Sequence, residues 1–218
     1  VQIGDTWSVW RPDFRYLNDA FNSPEYQRVG AATDYDTVGF RPYLAPDGTD
    51  DWMVTGNIDF SSTSNMSIVA GAEKLNELAP FYQALAELGP GNVEGSFALW
   101  HPYSDVQPSR VVARGAGASS QTVVASDVPG NRTDVLTSTI EFGAFRIRYK
   151  VSGTQYPNYA GTADPGNFGN LPLYLFSRAG ASSRFRGGFY GLIAVGRLLS
   201  ASELASAHEF MRNKSRAY

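Results

Sequence analysis

Residues 145–151 read FRIRYKV and alternate between apolar and basic side chains. The apolar positions share one face and the basic positions share the other: Phe145, Ile147, Tyr149 and Val151 against Arg146, Arg148 and Lys150. A repeat of two residues is the geometry of a β-strand with one face in a core and the other in solvent or a groove. The tripeptide SGT at 152–154 predicts a hairpin turn directly after this strand.

Short apolar runs recur along the rest of the chain, separated by turn-forming residues. The 218 residues include 22 glycines and 12 prolines, spread throughout. This punctuation predicts many short strands joined by turns, and hence an all-β sandwich or barrel. The further predicted strands are Trp52–Thr55, Met66–Glu73, Ser96–Trp100, Arg110–Arg114, Thr122–Ser126, Val135–Ile140, 172–178 (PLYLFSR) and 187–197 (GGFYGLIAVGR). The near-continuous apolar run in the last one predicts a central strand buried on both faces.

Two segments have helical rather than strand-like patterns. Residues 74–88 (KLNELAPFYQALAEL) are rich in helix-forming residues, with Pro80 expected to break or restart the helix. In residues 200–215, Ser200 and Glu203 have the spacing of a capping box. An apolar stripe follows at helical spacing: Leu204, Ala207, Phe210 and Met211. We expect this terminal helix to pack on the sandwich.

Charge and composition limit the kinds of partner that the chain is expected to bind. The net charge is −3 and only 18% of the residues are charged, which favours a neutral partner over nucleic acid. No apolar run approaches the roughly 18 residues of a membrane span, so we expect no membrane partner. Cysteine is absent, which removes disulfides, thiolate nucleophiles and cysteine–metal sites. The sequence indicates no cofactor.

Four segments in order resemble one known family. They are residues 45–75 (APDGTDDWMVTGNIDFSSTSNMSIVAGAEKL), 95–99 (GSFAL), 166–180 (GNFGNLPLYLFSRAG) and 185–214 (FRGGFYGLIAVGRLLSASELASAHEFMRNK). The sequence is similar here to the concanavalin A-like, or laminin G-like, jelly-roll domains of phage tail and other virion proteins. The resemblance implies a two-sheet antiparallel jelly-roll sandwich with a C-terminal α-helix. We expect it to span residues 31–218, with residues 1–30 as an N-terminal extension or linker.

Three aspartates beside a glycine, Asp47, Asp50 and Asp51, present two alternatives. One is a calcium loop, since Ca²⁺ takes oxygen ligands, but the spacing lacks the alternation and the distal glutamate of an EF-hand. The other is a polar turn at Asp47-Gly48 in which the aspartates bond backbone amides before a strand. The resemblance favours the turn, so we predict no metal site and leave calcium as the alternative.

Enzymatic chemistry would need an acid and a base placed together. Glycosidases use paired carboxylates, and no such pair stands out on one strand face. A polysaccharide lyase would need a Tyr or His base near a cation, which His101, Tyr103 and Arg110 could supply, but the lyase motifs of this fold are missing. We predict no catalysis, with a polysaccharide-degrading lyase or glycosidase on the same fold as the alternative.

Sugar binding needs flat aromatic rings together with side chains that bond hydroxyl groups. Two segments combine these features, the loop after residue 99 and the stretch from 155 to 170. The predicted glycan contacts are Trp100, His101, Tyr103, Gln155, Tyr156, Asn158, Tyr159 and Phe168. Long loops in compact domains are often functional, although packing or protein–protein contact is the other explanation for these residues.

The resemblance implies a structural module of a phage-type virion, from a tail fibre, spike or related appendage. Its expected location is therefore the virion. Its expected partners are other virion proteins, and the resemblance also allows a host-surface glycan or receptor as a ligand and assembly into a homo-oligomer. The glycan, the host and the virion component are left open by the sequence.

Overall fold

The computed structural model describes residues 43–75, 82–102, 108–117, 120–125, 132–144, 146–157, 159–160 and 166–217. Within them the strands are β1 (Met53–Asp59), β2 (Asn65–Lys74), β3 (Ala84–Leu88), β4 (Ser96–Trp100), β5 (Ser109–Arg114), β6 (Gln121–Ala125), β7 (Arg132–Glu141), β8 (Arg146–Val151), β9 (Thr154–Gln155), β10 (Tyr159–Ala160), β11 (Asn170–Leu175) and β12 (Gly187–Val195). The helix α1 spans Ala201–Ser215. No helix in these ranges is long and apolar enough to cross a membrane.

The strands form two antiparallel sheets that face each other. Sheet I has the order β1-β11-β3-β4-β5-β6, and sheet II has the order β10-β8-β7-β2-β12, with β9 paired to β8. The inner faces bury one continuous apolar core, which includes Ile68, Leu85, Phe97, Leu136 and Tyr149. The predicted all-β, two-sheet antiparallel jelly-roll sandwich with a C-terminal helix is therefore confirmed. The division at residue 30 falls outside the described residues and stays a prediction.

The burial of alternate residues in β8 confirms the strand predicted there. Ile147, Tyr149 and Val151 are buried, while the basic residues between them are half-buried. The turn after β8 places Ser152 at φ 46° and Gly153 at φ 84°. Two consecutive positive φ angles define a type I′ turn, whose twist matches that of the strands it joins.

The C-terminal helix is capped as predicted and covers the outer face of sheet II. The Ser200 hydroxyl accepts a hydrogen bond from the Glu203 amide, and the Glu203 carboxylate accepts one from the Ser200 amide. Met211 is buried against β2, where a Cβ built on Gly71 would lie 2.9 Å from its side chain. Glycine at residue 71 therefore lets α1 approach the sheet closely.

The helix predicted over residues 74–88 is wrong in the part of that segment that the structure describes. Residue 74 ends β2, residues 84–88 form β3, and residues 76–81 lie outside the described ranges. Ala, Leu and Glu favour a helix only weakly, by less than about 1 kcal/mol each. Strand β3 pairs with β4 on one side and β11 on the other, and every residue in it is buried. Sheet pairing and burial outweigh that local preference.

Strand β12 is not the predicted central strand buried on both faces. Its first four residues are buried and its last five are half-buried. Among the described strands it pairs only with β2, so it lies at an edge of sheet II rather than at its centre. Phe189 on one face joins the core, and Ile193 packs in the cluster under α1. The backbone of Leu44 meets its outer edge at Phe189, with hydrogen bonds of 2.9 and 2.7 Å.

Two of the three aspartates, Asp47 and Asp51, order the predicted turn. The Asp47 carboxylate accepts a hydrogen bond from the Thr49 amide at 2.7 Å, and Asp51 accepts one from the Asp47 amide at 3.0 Å. Gly48 has φ 79° between them. The carboxylates are therefore used to order the turn that precedes β1.

Candidate functional site

The two outer faces of the sandwich differ in what covers them. Helix α1 packs on β2, β7 and β12, all in sheet II. The outward residues of sheet I form a row of cross-strand partners that runs Tyr174, Glu87, Ala98, Val112 and Thr122. A cavity of about 320 Å³ opens on this face, and its walls include Tyr82, Glu87, Asn92, Trp100, Arg110 and Arg178. We call it the sheet I pocket.

Trp100 and Arg178 form the base of the pocket. The Arg178 guanidinium lies over the Trp100 ring, 5.7 Å from its centroid. Trp100 is only 6% exposed, whereas the Arg178 side chain is 43% exposed. An aromatic face attracts a guanidinium through the ring quadrupole. Trp100 therefore holds the Arg178 charge in place while leaving it accessible to a ligand.

Glu87 is the acidic group of the pocket and is fully buried. Its carboxylate accepts a hydrogen bond from the Ala179 amide at 3.0 Å, and its second oxygen lies 3.9 Å from Arg178 Nε. Burial raises the pKa of Glu87, and the Ala179 amide and the Arg178 charge partly oppose this rise. At 3.9 Å the arginine and the carboxylate attract each other without a hydrogen bond.

Arg110 and Tyr82 complete the walls of the pocket. Arg110 lies opposite Trp100 in the β4–β5 register, and its guanidinium donates to the Thr122 hydroxyl at 3.1 Å. Tyr82 is 50% exposed, which leaves much of its ring open to solvent. The pocket thus combines one accessible aromatic ring with two guanidinium groups and one carboxyl group. It can stack on a flat apolar surface and hydrogen-bond to polar groups around it.

A second aromatic group lies on the same face of sheet I. The rings of Trp52 and Tyr174 stack with centroids 6.2 Å apart and planes 26° apart. Arg184 lies over the Trp52 ring at 5.7 Å. Trp52 is 42% exposed, and a Cβ built on Gly180 would come 2.9 Å from its ring. We call Trp52 and Tyr174 the aromatic platform.

The structure separates the residues predicted to contact a glycan. Trp100 lies in the sheet I pocket, whereas His101 is fully buried and Phe168 is 2% exposed in the core. Gln155 is exposed, and Tyr156 packs partly against the core beside β9, which belongs to the other sheet. Tyr103, Asn158 and the side chain of Tyr159 lie outside the described residues. The buried rings of His101 and Phe168 offer no surface to an external ligand in this structure.

Sequence reasoning did not select most of the pocket. Glu87 fell in the segment predicted to be helical, and Arg178 comes from the turn after β11, far from Trp100 in sequence. From the sequence, Arg110 was a candidate only as the cation of the alternative lyase site. The alternation of Arg110, Val112 and Arg114 along β5 is the signal that could have placed Arg110 on an outward face.

One buried cluster has the residue types of a catalytic triad. The Ser109 hydroxyl lies 3.3 Å from His101 Nδ1, and His101 Nε2 lies 3.6 Å from the Asp134 carboxylate. All three residues are 0% exposed, and Ser109 also bonds the Tyr149 hydroxyl and the Trp100 carbonyl. Burial holds the pKa of His101 well below its usual range. In this structure the cluster joins the two sheets and is closed to substrate.

In the described parts of the chain, no group of three or more His, Asp or Glu side chains could hold a metal ion. The Asp47 and Asp51 carboxylates are engaged in the turn before β1.

Comparisons with known proteins identify the fold. No protein-family model and no curated protein matches the chain. Among solved structures, the CBM40 domain of the Ruminococcus gnavus IT-sialidase, bound to α2,3-sialyllactose, has a TM-score of 0.53 at 15% identity, and the match covers 72% of this chain and 97% of that one. The botulinum neurotoxin serotype D ligand binding domain, in complex with N-acetylneuraminic acid, has a TM-score of 0.58 at 10% identity, over 77% of this chain and 41% of that one.

A third similar structure is the leech intramolecular trans-sialidase complexed with 2,7-anhydro-Neu5Ac. Its TM-score is 0.51 at 14% identity, and the match covers 72% of this chain and 27% of that one. At identities this low, structural similarity establishes the fold and not the function. The chain has the β-sandwich jelly-roll fold that is also found in a carbohydrate-binding module and in a toxin ligand-binding domain.

Proposed function

We propose that the chain is a non-catalytic glycan-binding domain and that the sheet I pocket is its ligand site. The observation that carries the proposal is the pocket itself, on the sheet face that α1 does not cover. It places a half-exposed Tyr82 ring beside the accessible Arg178 guanidinium that Trp100 holds. Two similar structures were solved with sialylated ligands, which supports a glycan as the class of ligand.

The chemistry of the pocket suits a sugar ring. A pyranose has an apolar face that can stack on an aromatic ring, and hydroxyl groups that need hydrogen-bond partners. Tyr82 supplies the ring, while Arg110, Arg178 and the Asn92 side chain supply polar groups around it. Ligand sites commonly pair apolar walls with a few fixed polar groups of this kind.

The experiment is a glycan array probed with the full chain, followed by calorimetry on the glycans that bind. Tyr82→Ala should weaken binding roughly 5- to 30-fold, since stacking on one ring contributes about 1–2 kcal/mol. The matched control is Phe210→Ala, because Phe210 is also an exposed aromatic ring, at 58%, but lies on α1 over the other sheet. A blank array, or an equal loss in the two variants, would contradict the proposal.

The surface around β9 is a competing location for the same function. Gln155 is exposed there, and Tyr156 has its ring partly against the core. If this surface binds the glycan, Tyr156→Ala should lower affinity, and Tyr82→Ala should have no effect on binding. The reverse result would assign the glycan to the sheet I pocket.

We also propose that the domain acts in a virion, as part of a tail fibre, spike or related appendage with other virion proteins as partners. This proposal rests on the resemblance of the sequence to virion jelly-roll domains. Mass spectrometry of purified particles from a producing culture should detect peptides of this chain, and electron microscopy with a specific antibody should label an appendage. Recovery of the chain only outside particles would contradict it.

The absence of catalysis is proposed on the burial of Ser109, His101 and Asp134. Incubation with a panel of bacterial polysaccharides should release neither reducing ends nor unsaturated uronates. A release that is lost in Ser109→Ala, at unchanged melting temperature, would instead indicate that the buried cluster opens to substrate.

A further inference from the structure

We propose that the sheet I pocket and the aromatic platform form one site for an acidic oligosaccharide. Arg178, with Arg110 beside it, binds the carboxylate of one sugar, and Trp52 and Tyr174 stack on the next sugar. The inference rests on the proposed function and adds to it the charge of the ligand and its length. It follows from the charges of the pocket and from the continuity of the two parts on one sheet.

The pocket and the platform lie on neighbouring strands. Tyr174 of β11 is the cross-strand partner of Glu87 of β3, which forms part of the pocket wall. Side chains at directly opposed positions lie about 5 Å apart. Tyr174 therefore lies next to the pocket wall and stacks with Trp52 on the same side of sheet I, so a ligand longer than one sugar can contact both the pocket and the platform.

One turn supplies an arginine to each part. Between β11 and β12, Arg178 lies over Trp100 in the pocket, and Arg184 lies over Trp52 in the platform. The segment between them bends back on itself through the bridge between Arg178 and Ser182. The same turn thus fixes the spacing between the two guanidinium groups.

The turn is held in place by bonds to sheet I and within itself. The Glu87 carboxylate accepts from the Ala179 amide at 3.0 Å, and the Arg184 guanidinium donates to the Gly180 carbonyl at 2.9 Å. The Ser183 carbonyl accepts from the Ala84 amide at 2.9 Å, which joins the turn to β3. A site fixed before binding loses less conformational entropy when the ligand arrives.

The charges of the pocket favour an anion. Among the described residues of its walls, the guanidinium groups of Arg110 and Arg178 stand against one carboxyl group, that of Glu87, although the whole chain has a net charge of −3. Among the described residues, Arg178 has long polar contacts, 3.4 Å to the Gly91 carbonyl and 3.9 Å to Glu87. A guanidinium has five donors in a planar fork that matches a carboxylate. Arg178 therefore has donors with which to bind one.

The test compares acidic and neutral glycans that otherwise match. Calorimetry with the full chain uses 3′-sialyllactose, its carboxyl-reduced form, lactose, a galacturonate trisaccharide and a sulfated lactose. We expect at least one carboxylated glycan to bind 10-fold or more tightly than its neutral counterpart and than the sulfated sugar. The sialylated and uronate probes distinguish the two sources of the carboxylate.

Arg178→Gln should remove this preference, because it should weaken binding of the acidic glycan at least 10-fold more than binding of its neutral counterpart. The control is Arg146→Gln, because the Arg146 side chain is also 43% exposed and lies 4.0 Å from a glutamate, Glu141, but on sheet II. Equal affinity for acidic and neutral glycans, with Tyr82→Ala still weakening both, would overturn the inference and leave the proposed function standing. A chain that binds no glycan would overturn both.

The platform is tested by ligand length. Trp52→Ala should weaken binding of the acidic trisaccharide 5-fold or more, and should change binding of the matching acidic monosaccharide less than 2-fold. Trp52→Phe keeps an aromatic ring and should restore most of the affinity, which separates stacking from a loss of folding. Equal effects of Trp52→Ala on both ligands would show that the platform is not part of the site.

Discussion

Replacing Asp134 with alanine should destabilise the domain strongly at neutral pH. Asp134 is fully buried, where it bonds the Arg132 guanidinium and the Ser152 hydroxyl, the latter at 2.8 Å. It also attracts Lys74, which is 0% exposed. Lys74 lies on the neighbouring strand β2, two residues after Ala72, the cross-strand partner of Asp134. The alanine variant leaves the Lys74 charge buried without this carboxylate.

The expected loss in the free energy of unfolding is about 3–5 kcal/mol at pH 7, the usual cost of removing one partner of a buried ion pair. The loss should depend on pH because of Lys74. Burial lowers the pKa of Lys74 to about 8 from 10.5, and the attraction of Asp134 limits that fall. Between pH 8 and 10.5 Lys74 is protonated in the unfolded chain but largely neutral in the folded one, so the stability of the fold increases as pH rises through this range. Without Asp134 the pKa of Lys74 falls further and this gain begins at lower pH.

Urea denaturation at pH 7 and at about pH 9.5 measures both effects. Asp134→Ala should cost less at the higher pH, because Lys74 is then neutral in both proteins. A double variant, Lys74→Met with Asp134→Leu, should recover part of the stability, since well-packed apolar residues often replace a buried ion pair without loss. A cost below about 1 kcal/mol at pH 7, or the same cost at both pH values, would refute this account.

Three further predictions test the fold. In the unchanged protein, burial keeps the folded His101 neutral while the unfolded His101 takes up a proton below pH 6.5, so stability falls with pH. His101→Gln should reduce this fall in urea titrations, and equal pH profiles for the two proteins would contradict the prediction. Gly187→Ala should lower the free energy of unfolding by more than about 2 kcal/mol in thermal unfolding, since its Cβ would lie 2.0 Å from the Glu73 carbonyl. The control Gly56→Ala, whose Cβ would lie in open space, should lower it by less than about 1 kcal/mol. Ser200→Ala should cost about 1 kcal/mol by removing the cap of α1, and no change would argue against that bond.

The features that the sequence predicted correctly are those fixed by near neighbours along the chain. The alternation in β8 and the capping box of α1 each lie within a few residues, so one segment contains the full signal. The segment 74–88 failed because its Leu, Ala and Glu residues favour a helix locally, while β4 and β11 supply the pairing that makes residues 84–88 a strand. Such pairing comes from distant parts of the chain and cannot be read from one window.

Most residues of the candidate site could not be predicted from the sequence, because they also come from distant parts of the chain. Trp100 was predicted as a contact because it supplies a flat aromatic ring beside the loop that follows residue 99. Its partner Arg178 is contributed by the turn after β11, and Glu87 by a strand that was not predicted. The aromatic residues from 155 to 170 were predicted to form one contact surface, but Phe168 lies in the core. Composition cannot tell which face of a strand each ring occupies.

The arrangement of sheet I fits the proposed ligand binding, because it leaves exposed two aromatic rings whose burial would favour folding. Met211 of α1 shields the outer face of sheet II, whereas Trp52 and Tyr82 stay 42% and 50% exposed on sheet I, where burying their rings would stabilise the domain more. The buried ring of Trp100 is used to hold Arg178 at the surface, and the buried carboxyl of Glu87 is used to fix the turn that carries it. Fixing a guanidinium costs side-chain entropy, and that cost is met during folding rather than on binding. A fixed cation on the same sheet as exposed rings therefore supports the proposal that sheet I binds an anionic sugar.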